Sequence, residues 1–335
     1  MGTRAKAVAD LRLAGAGDMT GIAGMAVRSA FIPCRYLKGF GGNPGDLRLE
    51  QIRSKLDGGS RTIILEERGV IKGFAVLEDL PWDSAVFGKH MGTIWCLELD
   101  PEVSPGDGRG FSSFIIETAA KDGYEFLLAK AHTDNVRTVH LLEGCGFMLV
   151  DTLLDYVWDR EGSPAAGLSG AAEIDGLELG EACPGDEEKL RQVAGKAFLH
   201  HFGRYHSDPR IPRDLACGFY REWVSASLKG YADHFVVARI KGEIAGYSIW
   251  KKQANLEKRH GLSLGHYSIA GIDPGFSGRG LFSVLTMKGM SLLRDEVRFI
   301  EGPTHINNYP VQRGYAKLGW KIADARHSFH KWLGE

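Results

Sequence analysis

Residues 272–282, IDPGFSGRGLF, read as a strand that ends in a glycine-rich turn and enters a helix near Gly280. Glycines at 275, 278 and 280 keep side chains out of the turn, so backbone N–H groups can converge on an anion. The start of the helix adds about half a positive charge. That chemistry suits a pyrophosphate. The spacing is neither a dinucleotide-binding fingerprint, which needs a glycine three residues after Gly280 and a distant acidic residue, nor a P-loop, which needs Gly-Lys-Ser/Thr. A second concentration of chemical groups is HHFGRYHSDPR at 200–210, with three histidines, two arginines and a tyrosine. Adjacent histidines point apart on helix or strand, so no metal site is expected there. The five cysteines are scattered and form no C-x-x-C, which weakens zinc and redox readings. A reduced, cytoplasmic protein is the expectation.

The elements that must position these groups occur twice. In the first half, Ala30–Pro33 leads to an aromatic-basic loop through Arg35-Tyr36. A helical segment (Leu47–Leu56) follows, then a hairpin turning at Arg68-Gly69 and a strand over Thr93–Leu99 ending in Asp100-Pro101. Next come Gly108-Arg109-Gly110, a helix, and Asn135 ahead of Gly146-Phe147. In the second half the series is Ala197–His200, Arg204-Tyr205, helix Leu215–Leu228 and a hairpin at Lys241-Gly242. Strand Tyr267–Ile272 then ends in Asp273-Pro274, followed by Gly278-Arg279-Gly280, a helix, and Asn308 ahead of Gly319-Trp320. β-Branched and aromatic runs around short glycine turns indicate antiparallel strands. An offset between landmarks that stays within 167 to 173 residues indicates a duplicated α/β domain with few insertions. REGSPAAGLSGAAEIDG at 160–176 lacks periodicity and reads as a linker. The expected division is 1–160, linker 161–176, and 177–335.

Composition sets outer bounds. The 335 residues suit two domains. Lys+Arg 41 against Asp+Glu 42, with 44% hydrophobic residues, exclude a disordered chain. No apolar run reaches the roughly 18 residues of a membrane span. No basic stretch with interleaved aromatics points to nucleic acid. The 44 glycines fit many tight turns or backbone lying close to a ligand. Charge is uneven: residues 1–165 sum to −5 and residues 166–335 to +4, so the second half is better suited to an anionic ligand.

The ordered set of hairpin, central strand, glycine turn, helix, strand, asparagine and Gly-aromatic pair resembles the GCN5-related N-acetyltransferase superfamily over nearly the whole chain. The resemblance implies an α/β (α+β) fold of two tandem domains, each a mixed, mostly antiparallel sheet flanked by helices. In that family the strand–turn–helix binds acetyl-CoA through (Arg/Gln)-x-x-Gly-x-(Gly/Ala). Gly278 and Gly280 match, with Gly275 at the leading position. In the first half Gly108 and Gly110 match, but Pro105 leads and lacks an N–H. The family's closing motif places a tyrosine to protonate the departing CoA thiolate. Tyr315 matches it, whereas the same count from Asn135 reaches Leu142, which has no proton to give. The resemblance therefore implies a non-catalytic first domain and a catalytic second one.

In that second domain the resemblance implies that the backbone of Phe276, Ser277, Gly278, Arg279, Gly280 and Leu281 holds the pyrophosphate. It also implies that the strand ending at Ile272 pairs with the pantetheine arm, that Asn308 fixes the cofactor and that Tyr315 is the general acid. LPWDSAVFG at 80–88 and the stretch from Ala197 to Trp223 are closer still to bacterial dTDP-fucosamine acetyltransferases. This implies a nucleotide-linked amino sugar as the small-molecule acceptor. Arg204 would meet the diphosphate, Tyr205 would stack and His206 would bond hydroxyls. The amine must shed a proton, and His206, Glu301, His305 and His266 are candidate bases, Glu301 being expected to face the cleft. No Cys–His pair is evident, so direct attack is expected. An amino acid, a polyamine or a protein N-terminus remain alternative acceptors, and a non-catalytic acyl-CoA sensor is the alternative of another class. The fold also admits a homodimer through Ser328–Leu333.

Overall fold

The computed structural model describes residues 10–26, 34, 36–37, 44–162 and 174–334. The Ala30–Pro33 stretch, Arg35 and most of the expected linker lie outside the described residues. In chain order the elements are β1 (Asp10–Leu13), α1 (Met19–Ala26), α2 (Pro44–Asp57), β2 (Arg61–Glu67), β3 (Val70–Asp79), α3 (Pro81–Phe87), β4 (Met91–Leu99), α4 (Pro105–Lys121), β5 (Phe126–His132), α5 (Val136–Gly144) and β6 (Met148–Asp159). Then come β7 (Leu177–Glu181), α6 (Glu187–Ala197), α7 (Arg204–Ser207), α8 (Arg213–Ala226), β8 (His234–Ile240), β9 (Glu243–Lys252), α9 (Ala254–His260), β10 (Leu264–Ile272), α10 (Leu281–Leu293), β11 (Phe299–His305), α11 (Tyr309–Lys317) and β12 (Lys321–Trp332). Both expected hairpins form. Arg68-Gly69 (φ 52° and 78°) and Lys241-Gly242 (φ 52° and 83°) each put two successive residues in the left-handed region, as a two-residue turn between right-twisted strands requires.

The chain divides into two compact units. One contains most of the chain before Asp151 together with residues 326 onward, and the other contains Asp151–Ala325 with the short 36–41 stretch. In the first unit β1, β2, β3 and β4 run antiparallel in order, β4 is parallel to β5, and β5 is antiparallel to Arg326–Trp332 of β12. In the second unit β7, β8, β9 and β10 run antiparallel, β10 is parallel to β11, and β11 is antiparallel to β6 from Leu153 to Asp159. The two sheets share one plan. In each, the last strand is supplied by the other half of the sequence. The units therefore depart from the 1–160, 161–176 and 177–335 division at those strands, because ladder pairing is non-local and is not set by chain order. Ser328–Leu333, expected to offer a dimer edge, already pairs along one side with β5 from Ser328↔Lys130 to Trp332↔Phe126.

Helices cover both faces of each sheet, so the central strands are buried throughout. In β9, Ile244 to Trp250 are all inaccessible or nearly so. On one face of the second unit Leu281, Leu285 and Leu293 of α10 pack with Trp250, Tyr267, Tyr315 and Trp320. On the other, Leu190 and Val193 of α6 and Val224 of α8 meet Phe235, Tyr247 and Ile249. Each such side chain contributes about 1.5–3 kcal/mol by leaving water. Among the described residues no helix is long and apolar enough to cross a membrane.

Candidate active site

The site begins as a defect in the ladder. Between Tyr267 and Ile269 the β9–β10 register slips by one residue, leaving Ser268 as a bulge. On its other side β10 pairs with β11 at only three rungs, the last being His266↔Glu301. Beyond that rung the recorded pairing stops, and a cavity of about 690 Å³ lies within the second unit, lined by residues of both strands. Tyr267, Ser268, Ile269, Ala270 and Ile272 contribute from β10, and Pro303, Thr304 and His305 from β11. The Ser268 Oγ is buried without a hydrogen-bond partner. An unpaired strand edge beside it can receive an amide-bearing chain.

At the far end of β10 the glycine turn takes the expected shape. Gly278 (φ 77°) and Gly280 (φ 81°) occupy the left-handed region, and Gly280 caps α10 with no side chain involved. Asp273 accepts from the N–H of Gly275, Phe276 N–H goes to Asp273 O, and Ser277 N–H to Pro274 O. The donors of Phe276 and Ser277, expected to meet a phosphate, are thus spent inside the turn. Those left to converge on an anion start at Gly278 and run into the first turn of α10. Ile272, Phe276, Ser277, Gly278, Gly280, Leu281 and Asn308 all line the cavity. The Arg279 side chain does not, and its guanidinium lies 5.3 Å from the Phe276 ring.

Tyr315 comes up from α11 into the same cavity. Its ring stacks on Trp320 at 4.7 Å and meets Tyr156 of β6 at 5.0 Å. The hydroxyl sits so close to β11 that a Cβ at Gly302 would stand 2.7 Å from it. Burial, and then the neighbouring phenols Tyr267 and Tyr156, push its pKa well above the usual tyrosine value. The phenol therefore keeps its proton at ordinary pH.

One side of the cavity is walled by α7 and α8. Arg204, Tyr205, Phe219, Tyr220 and Trp223 line the cavity, with the Arg204 guanidinium 4.5 Å from the Tyr205 ring. His206 does not line it. Consecutive residues on a helical turn diverge by about 100°. With Arg204 and Tyr205 turned inward, His206 points to Cys217, its Nε2 3.5 Å from Sγ. A Cys–His pair thus exists after all, but it is not a nucleophile. Burial raises the Cys217 thiol, and burial together with Arg213 lowers His206 to about 4, so both stay neutral. Of the three histidines at 200–210, His201 does line the cavity, and its ring lies 4.8 Å from that of His305. Burial, with His305 and His206 adding to it, lowers His201 to about 3.

The two depressed histidines set a pH dependence. In the unfolded chain each takes a proton near 6.5, while the folded protein refuses it until pH 4 or below. Stability from this source is complete above 6.5 and is lost as pH falls through the interval. The slope approaches about 1.4 kcal/mol per pH unit for each histidine. Thermal melts between pH 7 and 4.5 should show Tm falling with acid, and a His201→Gln, His206→Gln double variant should flatten that fall.

Glu301 was expected at the end of its strand, facing the cleft. It lies mid-strand, on the last rung where β10 and β11 are still paired, and is not among the cavity-lining residues. Its carboxylate meets His266 Nδ1 at 3.2 Å and accepts from the Tyr36 hydroxyl at 3.3 Å. At the open end of β11, His305 lines the cavity with its Nδ1 3.3 Å from Asp151 Oδ2 of β6, close but not aligned as a hydrogen bond. Asp151 was not singled out in the sequence, since nothing in its surroundings marks it and only the β6–β11 pairing brings it here.

The matching place in the first unit is filled from within. Ser104 caps α4 by accepting from Asp107 N–H, and the Asp107 carboxylate sits in the first turn of the helix. Arg137 donates to Asp100 O and Val103 O, tying down the turn. Leu142 is buried in the core.

No protein-family model matches the chain. Among curated proteins it is 24% identical over 281 residues to the spore coat polysaccharide biosynthesis protein SpsD of Bacillus subtilis, covering 81% of this chain and 88% of that one. It is 26% identical over 227 residues to a mycothiol acetyltransferase of Saccharomonospora viridis, covering 56% and 70%. Among solved structures it superposes on a GCN5-related N-acetyltransferase from Sphaerobacter thermophilus with TM-score 0.65 and 15% identity, over 98% of this chain and 96% of that one. A tandem protein of the same fold from the clavulanic acid biosynthesis pathway gives TM-score 0.58 and 14% identity, over 98% and 99%. Two units on one plan and a splayed strand pair beside a bare glycine turn agree with these structures: the chain has the GCN5-related N-acetyltransferase fold, in two tandem units.

Proposed function

We propose that this protein transfers an acetyl group from acetyl-CoA to an amine on a small anionic acceptor, a nucleotide-linked 4-amino deoxysugar being the acceptor that fits best. The observation that carries this is the acceptor wall. Arg204 lies beside Tyr205, Phe219, Tyr220 and Trp223 on one side of a single cavity. A guanidinium beside aromatic faces recognises a phosphate joined to rings, and it has no counterpart on a small cationic acceptor such as a polyamine. The SpsD relative, named for polysaccharide biosynthesis, agrees with a sugar.

Residues of the second unit fit the donor. The N–H groups from Gly278 into α10 would hold its pyrophosphate, the edge of β10 its pantetheine arm, and Asn308 its position. The donor supplies an activated thioester. Tyr315 gives its proton to the departing sulfur, and its raised pKa keeps that proton available across the working range. The first unit, with its cradle closed by Asp107 and Arg137, serves as a non-catalytic domain.

The test is CoA release from acetyl-CoA with a panel of amines: a dTDP-4-amino-4,6-dideoxyhexose, glucosamine, alanine, spermidine and a short peptide. The nucleotide sugar should give the highest kcat/KM. Arg204→Gln should raise its KM about ten- to a hundredfold, as for loss of a charge-assisted hydrogen bond, and barely change that of free glucosamine. Equal turnover of glucosamine or spermidine, which carry no phosphate, would overturn the acceptor assignment.

A further inference from the structure

We propose that His305 is the catalytic base that takes the proton from the acceptor amine, and that Asp151 is the positioning residue that holds its ring. The assignment builds on the acetyl-transfer reading above and adds a group that reading leaves open. His305 is the last residue of β11, beyond the rung at which β10 and β11 part, and it lines the cavity that also contains Tyr315. Its backbone is fixed, since the carbonyl accepts from Asn308 N–H at 2.9 Å and from the Gln312 side chain at 3.2 Å. Its Nδ1 lies 3.3 Å from Asp151 Oδ2, and the Asp151 side chain is only 4% exposed. A carboxylate beside Nδ1 keeps the hydrogen on that nitrogen and leaves the Nε2 lone pair for the other side of the ring.

The other groups packed around His305 do not compete. His201, 4.8 Å away, is held neutral by burial. Phe202, at 5.9 Å, carries no proton. His206 faces Cys217, and Glu301 with His266 lies outside the cavity lining. The step balances. The amine nitrogen forms a bond to the thioester carbonyl carbon and the carbon–sulfur bond breaks. Nε2 of His305 takes the proton lost by nitrogen, Tyr315 gives one to sulfur, and solvent carries the proton from His305 back to the phenol.

Two measurements test this. The first is single-turnover and steady-state kinetics of His305→Gln with whichever panel amine the wild type acetylates best. The turnover number should fall about a hundredfold or more, with KM for acetyl-CoA within about twofold of wild type. Turnover within threefold of wild type would remove His305 from the chemistry. The second needs no acceptor. Two-bond ¹H–¹⁵N spectra of the histidine rings at pH 8 should show His305 as the Nδ1–H tautomer in the wild type and as the commoner Nε2–H tautomer in Asp151→Asn. An Nε2–H tautomer in the wild type, or no change in the variant, would overturn the pairing. If no amine in the panel is acetylated, the acceptor reading falls while the spectra still decide the Asp151–His305 pair.

Discussion

Replacing Tyr315 with phenylalanine should lower turnover about 10²- to 10³-fold and leave the affinity for acetyl-CoA nearly unchanged. The magnitude is that of a positioned general acid. The selectivity follows from packing. The Tyr315 ring is held by Trp320, Tyr156 and Phe282, and phenylalanine keeps all three contacts, so fold and cavity survive. Only the hydroxyl is lost, and it lies in a closely fitted space against Gly302. Pre-steady-state quenched flow with calorimetric titration of acetyl-CoA separates the two effects. Unchanged turnover would remove Tyr315 from the mechanism and favour a role confined to packing. Gly302→Ala offers a second view, because its added methyl would crowd the hydroxyl while leaving it chemically intact, and it should reduce turnover too.

The second large effect concerns the cradle. Gly278→Val and Gly280→Val place β-branched residues at φ 77° and 81°, a backbone region that costs an L-residue about 1–2 kcal/mol or more to occupy. At neither position would a Cβ meet another atom within 4 Å. The damage therefore comes from the backbone leaving its conformation, which swings away the N–H groups that converge on the anion. Acetyl-CoA binding by calorimetry should weaken at least about a hundredfold, the loss expected when two charge-assisted hydrogen bonds fail. In the first unit Gly110 lies inside α4 at ordinary helical φ, so Gly110→Ala should leave binding untouched. Wild type should bind one acetyl-CoA per chain. A second site of similar affinity would mean that the Asp107 cap opens to admit a phosphate.

Much of this arrangement is readable in the sequence, because it depends on local rules. The hairpins at Arg68-Gly69 and Lys241-Gly242 follow from turn chemistry. So does the cap at Gly280, and Tyr315 lies two turns beyond Asn308 on α11, a helical spacing that brings both to the cavity. The failures share a different cause. Whether Arg204 or His206 faces inward depends on the rotation of a four-residue helix, which composition does not reveal. Glu301 was misplaced because the length of β10–β11 pairing decides where the cleft opens. Asp151 was invisible because it reaches His305 through a ladder between strands about 150 residues apart.

The exchange of last strands bears on how the chain is made. During synthesis β1 to β5 emerge long before Arg326–Trp332, the stretch that covers one edge of β5. Phe126, Leu127 and Leu128, all buried in the finished protein, must wait for a strand that follows nearly a further domain's worth of chain. The first unit therefore stays incomplete on the ribosome, with an open edge suited to mispairing with other chains. A gene cut at the linker would leave that edge open for good. It would also deprive the other fragment of β6, and with it Tyr156 against Tyr315 and Asp151 beside His305. Neither unit completes its sheet without a strand from the other half of the sequence, so topology keeps the two halves in one gene.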